Sequence, residues 1–143
     1  MFPVAFGFFD TENKANWVWW MEQLRKAIGH VDPLAICTDA QKGLEFAVGH
    51  VFPHAEQREC FRHLMQNFVK QHTGKEHMYP AARAYRKYVY EHHVGIAKAI
   101  PSVAHWLNIN HPFLWYRSGF NPAIKCDYVT SNIAKSFNNW IKD

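Results

Sequence analysis

The run Pro-Val-Ala-Phe-Gly-Phe-Phe from Pro3 to Phe9 contains no polar side chain and stops at Asp10 and the turn-forming Thr11-Glu12-Asn13. A short apolar run bounded by a turn predicts a strand covered on both faces. Trp17, Trp20, Met21, Leu24 and Ile28 then recur at helical spacing, predicting a helix over Lys14–Ile28 with Asn13 capping its start and Gly29 ending it. Leu34 to Thr38 reads as a second strand, closed by Asp39. Lys42 to Val51 reads as a helix whose inward stripe is Leu44, Ala47, Val48 and Val51 and which Phe52-Pro53 stops. His54 to Glu59 is a weaker strand pattern, and Cys60 to Gln71 a third helix with Phe61, Leu64, Met65 and Phe68 on one side. The order β-α-β-α-β-α predicts an α/β fold in which helices cross over between strands.

From His77 to Asn108 the pattern is helical and rich in Tyr, Arg and His, with Gly95 and Pro101 as the expected divisions, which reads as a helical insertion. His111 to Ile124 is loop-like, and Ser131 or Asn132 caps a last helix over Ile133 to Ile141. Composition changes this picture little. The chain has 143 residues, 48% hydrophobic and 16% aromatic, which is globular and enough for one domain or part of one. A formal charge of +4 favours a polyanionic partner, nucleic acid foremost. Cys37, Cys60 and Cys126 are odd in number and widely spaced, which predicts reduced thiols and a cytosolic or nuclear compartment. The apolar amino-terminal run has neither the basic flank nor the cleavage site of a signal peptide, and no stretch approaches the ~20 apolar residues of a membrane span.

Asp39 is the first candidate for chemistry. An acid at the end of a buried strand sits at the carboxyl edge of the sheet, where open α/β sheets place ligands and metals. It is either a metal ligand or the helix-leading acid of a strand-to-helix turn. Asp10, Glu12 and Asp127 read as turn acids. Cys60 and His63, three apart, share a helix face, where they serve in packing and local hydrogen bonding or as half of a metal site. Arg83, Arg86 and Lys87, interleaved with Tyr85 and Tyr88, offer cations and rings to DNA; the alternative is an amphipathic helix with its tyrosines inward.

Five blocks stand in order: Met1 to Asn13, Trp17 to Leu24, Ile36-Cys-Thr-Asp39-Ala-Gln-Lys-Gly43, Cys60-Phe-Arg-His63-Leu with Asn67-Phe68, and Tyr128-Val-Thr-Ser-Asn132-Ile-Ala-Lys135-Ser-Phe-Asn138-Asn-Trp. Together they resemble the transposase domain of plant Mutator-like elements (MULEs). The resemblance implies a ribonuclease H-like fold and a DDE site, in which two Asp and one Glu hold Mg²⁺ ions for DNA strand cleavage and joining in the nucleus. Two hard cations held by carboxylates would stabilise the attacking and leaving oxygens at phosphorus.

Asp39 matches the second catalytic acid of that family, and Cys60 with His63 match its Cys-x-x-His motif. Lys135 occupies the position of the glutamate, and a charged ammonium neither donates a lone pair to Mg²⁺ nor tolerates it nearby. The first aspartate belongs to a strand two strands ahead of Pro3–Phe9, so the resemblance implies a truncated fragment. That fragment keeps strands three to five of the fold in residues 1–71, a helical insertion and loop in 72–124, and the last core helix in 125–143. The expectation is an inactive transposase fragment that binds no Mg²⁺, touches DNA weakly and self-associates through exposed strand edges; the alternative is a domesticated DNA-binding or protein-interaction module. A strand over Val4–Phe9 could also pair directly with Leu34–Thr38 through a right-handed crossover.

Overall fold

The computed structural model describes residues 4–131, 136–137 and 139–140. The chain is a mixed α/β protein, mostly helical, built on a small parallel sheet. In order come α1 (Lys14–Ile28), β1 (Ala35–Thr38), α2 (Lys42–Val51), β2 (Glu56–Glu59), α3 (Phe61–Gln71), α4 (Lys75–Arg83), α5 (Lys87–Lys98) and α6 (Pro101–Asn110), followed by a 3₁₀ turn at Arg117–Gly119.

The first helix forms for the reasons its sequence gives. Asn13 Oδ1 accepts a hydrogen bond from the Asn16 amide at 2.9 Å, satisfying one of the free donors of the first turn. Gly29 ends the helix at a φ of +69°, a conformation that costs a residue with a Cβ. One face of α1 meets α2, where Trp17, Met21 and Leu24 close over Leu44, Val48 and Val51, with Ile36 contributed from β1 and Leu34 and Ala55 from the residues just ahead of the two strands.

β1 and β2 run parallel, with Ile36 opposite Gln57 and Thr38 opposite Glu59. Successive strand residues face opposite ways, so Ile36 turns to the α1–α2 core while Cys37 turns away from it. A second core fills the rest of the molecule. Phe61, Leu64, Met65 and Phe68 of α3 pack with Met78, Ala81 and Ala82 of α4, Val94 and Ala97 of α5, and Val103, Trp106 and Leu107 of α6. The alanines leave room for α4 and α5 to lie close together.

Three expectations are corrected. Val4 to Phe9 joins no strand among the described residues, and Val4, Phe6 and Phe8 are exposed. Gly7 instead lies against Trp20 of α1, so close that a Cβ there would come within 2.5 Å of the indole ring. The segment lies against α1 rather than pairing with β1, and among the described residues the sheet has two strands, not three. The helical insertion divides at Ala84–Arg86, after α4, and again just ahead of Pro101 as expected, whereas Gly95 lies inside α5. The early division separates two short apolar faces that pack on each other, and tertiary packing overrides the weak helix propensity of glycine. β2, expected to be weak, is the sheet's better-connected strand: the Glu59 amide donates to the Leu114 carbonyl at 2.8 Å, on the side away from β1. The last helix, predicted over Ile133 to Ile141, is described as helical at Ser136, Phe137, Asn139 and Trp140; Asn132, Ile133, Lys135 and Ile141 lie outside the described residues.

Because a Cβ added at Gly95 meets no atom within 4 Å, Gly95→Ala is expected to stabilise the fold by about 0.5–1 kcal/mol, read as a higher urea midpoint with an unchanged slope. A glycine that broke the helix would give no such gain.

Candidate functional site

Parallel strands bring their carboxyl ends to one edge, and here that edge gathers acids from three elements. Asp39 follows β1 directly, is exposed, and accepts the Gln41 amide on its carbonyl at 2.7 Å as the chain turns into α2. Glu59 is the last residue of β2, and Glu45 lies in the first turn of α2. The charges of Asp39 and Glu59 each help to raise the pKa of Glu45, after the larger effect of burial.

Glu59 is the most enclosed of the three, with 1% of its side chain exposed, and its Oε1 contacts Nδ1 of the equally buried His111. Burial pushes the Glu59 pKa up; the hydrogen bond and charge of His111 oppose the shift, and Asp39 adds to it. Its second oxygen and Oε1 of Glu45 are buried without a hydrogen-bond partner. The His111 ring lies 4.0 Å from that of Trp106, centroid to centroid. In front of His111 opens a cavity of about 390 Å³ lined by Lys42 and Glu45 of α2, Asn67 and Gln71 of α3, and Trp106 and Asn110 of α6. At the amino ends of the strands lies a larger cleft, about 1080 Å³, lined by Arg25, Lys26, His30, His50 and His54 among others.

Glu45, Glu59 and His111 were not singled out from the sequence. The available signal was the composition of β2, Glu-Gln-Arg-Glu, in which a strand with every side chain polar must find partners for those it buries.

The predicted site residues separate into distinct environments. Cys60 opens α3, fully buried, and accepts a hydrogen bond from the Ser131 amide at 3.2 Å, while the Phe61 amide donates to the Val129 carbonyl at 2.7 Å. These bonds tie the Cys-x-x-His block to the last sequence block. His63 is half-buried, and its Nδ1 has no hydrogen-bond partner. Among the described residues no three of His, Cys, Asp and Glu are grouped so as to hold a metal ion. Lys135 lies outside the described residues. Asp10 accepts bonds from the Thr11 amide and Asn16 Nδ2, and Glu12 accepts from Gln41 Nε2 at 3.0 Å, which joins the amino-terminal turn to the Asp39 loop.

Arg83, Arg86 and Lys87 are exposed around the α4–α5 turn. Tyr85 and Tyr88 are exposed with them, so these two tyrosines do not pack inward; Tyr90 does, stacked on Tyr116 at 3.7 Å. The Tyr85 hydroxyl donates to Asp127, whose carboxyl is held below its ordinary range by that bond and by the Arg117 charge. Asp127 therefore secures a loop, as its turn-like sequence suggested.

Two measurements probe these environments. Burial pushes the Cys37 thiol up to about 12, so at pH 8 very little of it is the reactive thiolate, while Cys126 is exposed. Iodoacetamide is expected to label Cys126 first, and Cys37 and Cys60 only after unfolding. For Glu59, a raised folded-state pKa means a stabilising contribution complete below the unfolded value, about 4.3, and lost as pH rises through the folded one. The urea midpoint of Glu59→Gln should therefore fall less than that of the wild type between about pH 4.5 and pH 7. Equal falls would show that Glu59 titrates alike in both states.

Residues 1–67 match the model of the MULE transposase domain, a match that takes in Asp10, Asp39, Cys60 and His63 and excludes the block around Lys135. The chain is also similar to the Arabidopsis thaliana protein FAR1-RELATED SEQUENCE 6, at 30% identity over 129 residues, which are 83% of this chain and 17% of that protein. It thus spans less than a fifth of the length of this relative. The first three sequence blocks and the Cys60–His63 motif of the fourth fall within the family match, so the amino-terminal part of the chain is similar to the MULE transposase domain.

Proposed function

We propose that this chain is part of a transposase-derived nuclear protein that contacts DNA but does not cut it. The parallel β1–β2 pair with crossover helix α2 and an acid at its carboxyl edge agrees with part of a ribonuclease H-like core, and the resemblance puts the second catalytic acid at Asp39. The observation that carries the inactive reading is Lys135, a cation where the resemblance puts the third carboxylate.

The surroundings of Asp39 support it. Its acidic neighbour Glu59 is buried with Oε1 engaged by His111, and among the described residues no three of His, Cys, Asp and Glu are grouped so as to hold a metal ion. DNA contact is assigned to Arg83, Arg86 and Lys87, which stand exposed on one turn with the rings of Tyr85 and Tyr88. Among the described residues no helix is long and apolar enough to cross a membrane.

Binding to a labelled DNA duplex, followed by fluorescence anisotropy between 50 and 200 mM salt, is expected to weaken linearly on a log–log plot with little sequence preference. Replacing Arg83, Arg86 and Lys87 together by alanine should lower the salt slope by roughly one for each phosphate that is no longer neutralised. With Mg²⁺ or Mn²⁺ the duplex should stay intact. Absence of DNA binding would leave the alternative, a protein-interaction module; metal-dependent cleavage would overturn the inactive reading.

A further inference from the structure

The cavity between α2, α3 and α6 is not explained by the packing around it. It measures about 390 Å³, within the range of roughly 300–1,000 Å³ typical of small-molecule sites. Its lining combines four kinds of group. Asn67 and Gln71, one helical turn apart on α3, and Asn110 at the end of α6 supply carboxamides. Glu45, half-buried, supplies a carboxyl. Trp106 and His111 supply rings, with His111 held from behind by Glu59. Lys42 supplies an exposed cation.

Each group restricts the ligand. The lysine disfavours a metal ion or a cationic side chain, and the described residues contain no set of three metal donors. The carboxyl disfavours a free anion. Three carboxamides fit a planar group that presents donors and acceptors along its edges, and the aromatic wall fits its ring. A group that is flat, heteroaromatic, rich in edge hydrogen bonds and tethered to a negative charge is a nucleotide.

We propose that this cavity receives a single unpaired nucleobase of a bound DNA strand, with Lys42 on its phosphate and Glu45 accepting from an exocyclic amine. This rests on the DNA-contact reading given above. A carboxylate only accepts hydrogen bonds; the exocyclic amines of adenine, cytosine and guanine each offer it a donor, whereas thymine offers only its N3–H, set between two carbonyls that a carboxylate repels, so the site favours the first three over thymine. Capture requires the base to leave its stack, which is easiest where it is already unpaired.

The probes are labelled duplexes carrying one unpaired A, C, G or T, compared with the same duplex without a bulge, using the whole chain. An A, C or G bulge is expected to bind about tenfold more tightly than a T bulge. Asn67→Ala, at an exposed position, should reduce that preference without changing affinity for the unbulged duplex. Glu45→Gln keeps the shape and adds a donor, so it should admit thymine and erase the discrimination. Equal binding of all bulges, or a preference that survives in both variants, overturns the base pocket while salt-dependent duplex binding stands. Loss of binding to every duplex overturns the DNA reading and the pocket together.

Discussion

The fold turns on the burial of β2's polar side chains. Arg58 is 2% exposed and Glu59 1%, and neither charge would be tolerated there without partners. Arg58 donates to Glu56 at 2.6 Å and to the Cys126 carbonyl at 2.6 Å, and its guanidinium lies 3.8 Å from the Phe120 ring centroid. Glu56 also accepts the Asn121 amide, and Glu59 takes His111. All the partners except Glu56 come from the chain after α6. A four-residue strand thus fixes the path of a loop more than fifty residues downstream, and that loop in turn places Trp115 over Phe61 in the second core.

This arrangement gives the two sides of the sheet different characters. On the α2 side, Ile36 joins an apolar core, and the Gln57 amide reaches Gly49 so closely that a Cβ there would lie 2.9 Å away. On the other side, Cys37 faces Arg58 and the Cys126 loop, which explains why its thiol is desolvated yet still feels their charges. The outer edge of β1 has no strand partner among the described residues, and the nearby apolar segment Val4–Phe9 covers Trp20 instead.

Elements governed by local chemistry were legible in the sequence. Helices α1 and α2 have the bounds their apolar spacing and end signals indicate, because Asn13, Gly29 and Phe52-Pro53 act on neighbouring backbone groups. The position of Asp39 at a strand end was legible for the same reason. What could not be read depended on distant partners. An all-apolar segment such as Val4–Phe9 suits a central strand or a covering over a helix equally well, and Trp20 decides between them. Gly95 looked like a break because intrinsic propensity is weak beside the packing of Val94 and Ala97. Glu59 and His111 lie fifty-two positions apart, and no spacing rule joins them.

The carboxyl edge illustrates how one set of residues can keep a site's outline while its physical character changes. Three acids stand at that edge, but they are not grouped as a metal site would require, and they do not share one environment. Asp39 is open to solvent, Glu45 is partly enclosed, and Glu59 is enclosed and engaged by an imidazole. A divalent ion needs carboxylates that are ionised together and free to turn toward it. Here burial favours the neutral form of the inner acid, and its hydrogen bond holds it to the loop. Stability of the β2–loop junction and readiness to bind a cation therefore make opposite demands on Glu59. On the reading proposed above, the chain meets the first demand, and the space left in front of His111 is lined for an uncharged ring rather than for an ion.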